Sequence, residues 1–513
     1  MNFPHLFEND LYAILPELYL IVSTLVLLLF GVFYSTSKKH HTPSLMQTIS
    51  WLGLFCLFCT FCILQNLPFS SMTFFYTTLI MDPLSFFFKT LTLLGAGVSL
   101  FISLQYFQAE ELKDFEYTLL LLFSTCSMLL LISASDFISM YLAIEMQSLC
   151  LYVLAASKRN SEFSTEAGVK YFLLGAFSSG ILLFGCSILY GLTGLTGFQS
   201  FAQLFSGVGG SLAVETQSFL SVGVLFIAVG FLFKLTAAPF HFWAPDVYEG
   251  APTPITAHLA VGSKAAAFAL IIRLFVSGLM PLMIDLQIIL VIMAALTMTI
   301  GNLMALVQTN IKRLLAYSSI GHAGYLLLGL SALISINQSG DFNLAFISNT
   351  NLVVNGIILH TIAYGISNLA AFLSISIIYK KTGYENVEDL AGVSKTSPFL
   401  SMVFAASVFS LAGLPIFAGF ISKFYLFTAA SVQGLIWLVA IAIFTSLMSL
   451  YYYLKVLKYM YIEKSETNKQ IHLSPLAISV LSVLFIAMIF IGIYPAPLMD
   501  AIHHATNALN TLN

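Results

Sequence analysis

Residues 230–254 read GFLFKLTAAPFHFWAPDVYEGAPTP. Lys234 interrupts an apolar run there, and Pro239 follows it by five residues. Proline removes a backbone N–H and clashes with the preceding turn, so a helix through this stretch is broken. The rest of the chain says what surrounds the break. Of 513 residues, 59% are hydrophobic and 8% charged, with a mean hydropathy of +0.93. Soluble domains carry about 25% charged residues, so this chain has too little polar surface to cover a water-exposed body of its length. A soluble multidomain enzyme is excluded. The 32 glycines, 15 prolines and six cysteines are too ordinary for a collagen-like, disordered or disulfide-held chain. A net charge of −3 offers no basic field to nucleic acid. The composition defines an all-α polytopic membrane protein, in which a broken helix needs protein or water to satisfy its freed carbonyls.

A helix needs about 20 mainly apolar residues to cross the hydrocarbon. Fourteen such stretches are expected, near residues 11–35, 48–66, 82–106, 117–133, 136–157, 166–191, 219–246, 255–279, 286–308, 314–333, 352–379, 399–428, 433–457 and 475–496. Those at 219–246, 352–379 and 399–428 exceed a simple crossing, so they must tilt, break or protrude. Basic residues test the count, because they stay on the cytoplasm-like side. Fourteen of the 20 fall in or beside alternate connections: Lys38, Lys39, Lys113, Lys158, Arg159, Lys312, Arg313, Lys380, Lys381, Lys395, Lys455, Lys458, Lys464 and Lys469. None lies in the other connections or the tails, so both termini are expected opposite the basic side. The opening Met1-Asn-Phe-Pro-His5 shows no Arg-rich presequence, and the first apolar run is too long for a cleavable signal. Synthesis within the compartment bounded by the membrane is expected, in a bacterium or an organelle. The 46 Phe residues lean towards an organelle through AT-rich coding.

The remaining basic residues, Lys89, Lys170, Lys234, Lys264, Arg273 and Lys423, lie within spans, and Glu145 sits mid-span in DFISMYLAIEMQSLC. A charge at a helix centre costs about 2.5–3.5 kcal/mol even on the lenient insertion scale. The set is therefore expected to face the bundle interior, pair within itself and be wetted by trapped water. A lysine and a carboxylate whose separation changes form a proton acceptor with a switch, since separation favours release and approach favours retention. Several lysines along one plane then form a relay. Snorkelling or structural pairing is the reading for Lys89 and Arg273. Glu145 is too short to snorkel, Lys234 and Lys264 are similarly central, and depth alone leaves Lys170 undecided. His241, His258, His322 and His360 also fall in or near spans. A lone membrane histidine is more often a packing residue, but His322, in AYSSIGHAGY, has hydroxyls nearby and is the candidate relay member. No two histidines sit at metal-ligand spacing with a carboxylate.

A second interrupted segment, SLAGLPIFAGFISKFYLF (410–427), places Gly413, Pro415 and Gly419 ahead of Lys423. Five spans separate it from the first, so the two cross in opposite directions. That is the mark of inverted-topology repeats, whose breaks line ion pathways; two unrelated kinked helices are the plainer alternative. The expected organisation is N-terminal helices 1–3 (1–115), a first repeat of helices 4–8 (116–280), a second of helices 9–13 (281–460), and helix 14 with its tail (461–513). Neither GxGxxG after a strand nor GxxxxGK[ST] is present. Cys56, Cys59 and Cys62 form CxxCxxC inside the second span with no fourth cysteine near, and read as small packing residues. No pattern here carries electrons, so the driving energy comes from another subunit or an ion gradient.

CSMLLLISASDFISMYLAIEMQSLCLYVLAASKRNSEFSTEAGVKYFLLGAFSSGILLFG (126–185), FIAVGFLFKLTAAPFHFWAPDVYEGAPTP (226–254), IKRLLAYSSIGHAGY (311–325) and LAGLPIFAGFISKFYLF (411–427) resemble the subunit 2 family of respiratory complex I. Complex I is the proton-pumping NADH:ubiquinone oxidoreductase. The resemblance runs through residues 80–460 and is to the long, fourteen-helix form of plant, algal and protist mitochondria and of bacteria. It implies an antiporter-like subunit with two inverted five-helix repeats, each with a broken helix. By position, Glu145 matches the family's essential glutamate of helix five, Lys234 the lysine of broken helix seven, and Lys264, in SKAAAF, the central lysine of helix eight. Lys423 matches the lysine of broken helix twelve and Lys170 an additional lysine of helix six, whereas His258 stands where an apolar residue is expected. The resemblance further implies proton translocation coupled to electron transfer from NADH to quinone in other subunits. NADH, FMN, iron–sulfur clusters and ubiquinone would belong to the complex, with no cofactor in this chain. The implied partners are antiporter-like and small hydrophobic membrane-arm subunits, membrane lipids and protons. The implied location is the mitochondrial inner membrane with both termini in the intermembrane space, or a bacterial plasma membrane. An Mrp-type cation/proton antiporter subunit, driven by ion gradients, is the alternative; a passive scaffold is the third reading.

Overall fold

In hydrocarbon each helix must close its own backbone hydrogen bonds, so apolar length decides the architecture. The computed structural model describes residues 10–35, 43–67, 71–110, 114–205, 214–279, 282, 286–337, 344–383, 385–464 and 471–510. Met1–His5, Lys38, Lys39, Lys113, Lys469 and the expected boundary at 280/281 lie outside them. Twelve helices, from Leu15–Ser35 to Pro475–Ile493, are long and apolar enough to cross a membrane. Three shorter apolar helices are Ser218–Lys234, Pro398–Ala412 and Ala418–Val432. The first of these, and the other two taken as one interrupted crossing, complete the fourteen.

The three over-long stretches resolve differently. Those at 219–246 and 399–428 break, whereas 352–379 lies inside one continuous helix, Leu344–Thr382, of 39 residues. At about 1.5 Å per residue that helix outruns a hydrocarbon layer of roughly 30 Å, so it tilts and protrudes. The bundle has a centre and a rim. The apolar windows of Thr253–Leu274 and Ile311–Ile334 are 100% buried, against 22% for Leu15–Ser35. Lys264 and His322 therefore lie on central helices. Close crossings use small residues: a Cβ on Gly185 would meet Gly223 O at 2.6 Å, so Glu162–Thr193 and Val214–Lys234 cross backbone to backbone.

Two features had no sequence signal. Met72–Phe74 and Leu79–Met81 pair as an antiparallel hairpin, and Ser135 N–H donates to Thr78 O at 2.9 Å. That contact seats the hairpin on the start of the Glu145 helix, Phe137–Ala155, whose N-cap Asp136 accepts from Ser139 N–H at 2.8 Å. The Lys264 span contains π-turns at Leu259–Ser263 and Phe275–Leu279, on either side of helix Lys264–Leu274. Such turns interrupt the regular ladder and concentrate at functional sites. Lys89 and Arg273 are paired rather than snorkelling. Lys89 meets Glu17 at 2.6 Å and Arg273 meets Asp82 at 3.0 Å, with side chains at most 2% exposed. These pairs tie Leu15–Ser35 to Pro83–Glu110, and that helix's start to the Lys264 span.

Candidate functional site

Both broken helices end in the same closure. Val214–Lys234 stops at Thr236 (φ 62°), with Thr236 N–H donating to Phe233 O at 3.0 Å and Ala237 N–H to Leu232 O at 2.8 Å. Pro398–Ala412 stops at Gly413 (φ 86°), with Gly413 N–H donating to Ser410 O and Leu414 N–H to Phe409 O, each at 3.0 Å. This is the Schellman pattern, with a left-handed residue past the last turn. Glycine takes that conformation freely, but a β-branched threonine there is strained. Such strain persists where the surroundings fix it. Thr236 Oγ1 accepts from Lys264 Nζ at 3.2 Å.

From the first break a polar row runs through the bundle. Lys234 is half-buried and donates to Ser148 Oγ at 2.7 Å. Ser148 lies one turn beyond Glu145 on the same helix, and Glu145 Oε1 is buried with no hydrogen-bond partner among the described residues. Lys234 thus turns to the hydroxyl rather than to the carboxylate. Beside it is a cavity of about 20 Å³ lined by Ser148, Ser178, Tyr152, Tyr171 and Trp243, room for about one water. Lys264 is buried and donates to Ser319 O at 3.0 Å, to Ser319 Oγ and to Thr236. Tyr364 O–H donates to Ser319 Oγ at 2.7 Å.

One turn on from Ser319, His322 Nδ1 lies 3.1 Å from His360 Nε2, and His360 Nδ1 lies 3.1 Å from Ser422 Oγ. Ser422 precedes Lys423, whose ammonium donates to Leu411 O and Ala412 O at 3.0 Å and to Ser446 Oγ at 2.9 Å. Those carbonyls end Pro398–Ala412 and have no intrahelical partner, and a cation suits the negative end of a helix. Lys423 also faces the Tyr325 ring at 5.1 Å.

The structure therefore strings Glu145, Lys234, Lys264, His322 and Lys423 along one row. It does not bring Lys170 there: the side chain is 41% exposed and pairs with Glu166 at 2.6 Å and Asp246 at 2.5 Å. His258 stands aside, 2.9 Å from Ser124 Oγ. Mutual pairing was expected of the intramembrane charges, yet Lys234, Lys264 and Lys423 take hydroxyls and carbonyls. Such partners hold an ammonium without the desolvation of a second buried charge. Sequence reading missed Ser148, Thr236, Ser319, Tyr364, Ser422 and Ser446, and treated His360 as packing. The only signal was one-turn spacing, as in Glu145/Ser148, Ser319/His322 and His360/Tyr364. Many membrane hydroxyls close on their own helix instead, as Thr361 does on Ile357 O at 2.8 Å, so spacing does not single these out.

Residues 134–449 match the family described as NADH:quinone oxidoreductase/Mrp antiporter, TM. The chain belongs to that family of antiporter-like membrane subunits. It is 42% identical over 502 residues to the NADH-ubiquinone oxidoreductase chain 2 of Marchantia polymorpha, covering 97% of this chain and 98% of the relative. It is 38% identical over 501 residues to the NADH-quinone oxidoreductase subunit N of Paramagnetospirillum magneticum, covering 98% of each. Among solved structures, a chain of respiratory complex I from Thermus thermophilus superposes with a TM-score of 0.76 at 29% identity, covering 96% of this chain and all of that one.

Proposed function

We propose that this chain carries protons across the membrane for an NADH:quinone oxidoreductase, using the row from Glu145 to Lys423. Quinone reduction in other subunits changes the separation of Glu145 and Lys234. Lys234 gives up its proton, which passes to the Lys264 amine and on through Ser319, His322, His360 and Ser422 to Lys423. Lys423 releases it towards the side opposite the basic connections, and water from the basic side reloads the row. Lys170 stands at the intake end of this scheme. Moving one charge against 100 mV requires about 2.3 kcal/mol, and a shift of about two pKa units at 1.36 kcal/mol each is of that size. The carrying observation is the contact series Lys264–Ser319, His322–His360–Ser422 and Lys423–Ser446, in which Lys264, Ser319, His322 and His360 lie on the most buried helices.

The proposal includes the repeat boundaries 116–280 and 281–460. The partners are antiporter-like and small hydrophobic membrane-arm subunits, and the flavin, iron–sulfur clusters and quinone sit in the rest of the complex. The location is the mitochondrial inner membrane, with both termini in the intermembrane space. An Mrp-type cation/proton antiporter is the second reading, favoured by the family description that spans both. Co-purification with flavin and iron–sulfur subunits separates the two. The relay is tested with Glu145→Ala and Lys234→Ala in the assembled complex. Both are expected to abolish proton pumping, and normal pumping with normal NADH oxidation in either refutes the assignment.

A further inference from the structure

One group of charged residues outside the row gathers around a single carboxylate, Asp246. Asp246 lies on the short helix Trp243–Gly250 that follows the first break. It accepts from Lys170 at 2.5 Å and from Arg313 at 2.8 Å. Arg313 also holds Glu249 at 2.8 Å, and Lys170 also holds Glu166 at 2.6 Å. Lys312 pairs with Glu385 at 2.8 Å and donates to Ala251 O at 3.0 Å, just past the short helix. The short helix is thus fixed from Glu162–Thr193 on one side and from Ile311–Asn337 on the other.

Its other end is fixed to the lysine. Trp243, one turn before Asp246, donates its Nε1–H to Phe233 O at 3.1 Å, and Phe233 immediately precedes Lys234. The Trp243 ring stacks on Tyr171, the neighbour of Lys170, at 4.5 Å and 11°. Lys170 and Tyr171 therefore grip Asp246 and Trp243, which share a face of the short helix. The repeat gives the same residue significance. Asp246 stands ten residues after left-handed Thr236, as Lys423 stands ten after left-handed Gly413. In the second half the charge beyond the break reaches back to the broken end itself. In the first it faces Lys170 and Arg313, and Trp243 makes the connection to the broken end.

We propose that Asp246 is a positioning residue that sets the place of the Lys234 ammonium, acting through Trp243 and Phe233. This rests on Lys234 being a proton carrier. Partly exposed ion pairs contribute little to stability one by one; the function of this cluster is alignment. The test uses the assembled complex carrying Asp246→Asn, Asp246→Glu or Lys234→Ala. Asp246→Asn is expected to leave the amount of complex and the KM for quinone unchanged. Its kcat for coupled NADH oxidation should fall about tenfold to a hundredfold, the loss that follows displacement of a reacting group by about 1 Å. Asp246→Glu should restore most of it. If Asp246→Asn prevents assembly, Trp243→Phe, which keeps a ring but removes the N–H, carries the same expectation. Reduced amounts of complex with undiminished kcat would mark a purely structural anchor and overturn the proposal. Normal kcat in Asp246→Asn beside an inactive Lys234→Ala overturns it alone, and normal pumping in Lys234→Ala overturns the relay with it.

Discussion

The Glu17–Lys89 pair separates charges that hold the bundle from the charges proposed to move protons. The two groups lie 2.6 Å apart with side chains 1% and 2% exposed, between the rim helix Leu15–Ser35 and the helix Pro83–Glu110. Neither touches the row. Removing one member of such a pair leaves an uncompensated buried charge and costs about 3–5 kcal/mol. Replacing both by apolar side chains of similar volume is neutral or stabilising by about 1–4 kcal/mol. Lys89→Met and Glu17→Met should therefore each lower the thermal midpoint and yield of the assembled complex, and the double variant should recover them. Because the double change costs about nothing, the coupling energy should be close to the sum of the two single costs. Blue-native gels and thermal inactivation read the stability, and proton pumping per assembled complex reads the function. Pumping per complex should stay constant in all three variants. A double variant that assembles normally but pumps poorly would place the pair in the proton path. Single variants as stable as the parent would mean that the pair anchors nothing.

Two further outcomes follow from the breaks. A Cβ on Gly419 would overlap Ser410 O, so Gly419→Ala should destabilise the fold by about 1–3 kcal/mol, as overpacking does, and lower the thermal midpoint; Gly180→Ala, with nothing within 4 Å of its Cβ, serves as the neutral control. Thr236→Gly relieves a left-handed threonine (φ 62°), a strain of about 1–3 kcal/mol, so the complex should melt higher while pumping slows through loss of the Lys264 contact. Thr236→Ala, which loses the hydroxyl and keeps the strain, should slow pumping without that gain.

How much was legible follows from which properties are local to the chain. Fourteen crossings and two breaks were visible because apolar length, proline and the cost of a charge in hydrocarbon act residue by residue. Glu145, Lys234, Lys264 and Lys423 could be singled out for the same reason. The hairpin at Met72–Met81 and the π-turns beside Lys264 were invisible, because packing against other helices creates them. The destination of Lys170 was hidden too. Its position two turns into a helix is compatible with a place in the row, and only the folding-back of Trp243–Gly250 brings Asp246 within 2.5 Å of it. His360 read as a lone packing residue until its neighbours from two other helices, His322 and Ser422, were in place.

The two breaks share a closure but place their lysines differently, and the difference bears on the proposed path. Lys234 is the last residue before its break, and the backbone bonds of Thr236 and Ala237 close that end without it. Its ammonium is therefore free to turn from Ser148 to Glu145 at no cost to the helix terminus. Lys423 comes after its break and itself satisfies Leu411 O and Ala412 O. A proton leaving Lys423 takes away its charge and one of its three N–H donors, so Leu411 O, Ala412 O and Ser446 Oγ are left to share two weaker hydrogen bonds. In the proposed relay, proton release at Lys423 thus loosens the end of the second break. The first lysine behaves as a switch whose position is cheap to change. In that scheme the second lysine weakens the hold on its own helix end as it discharges.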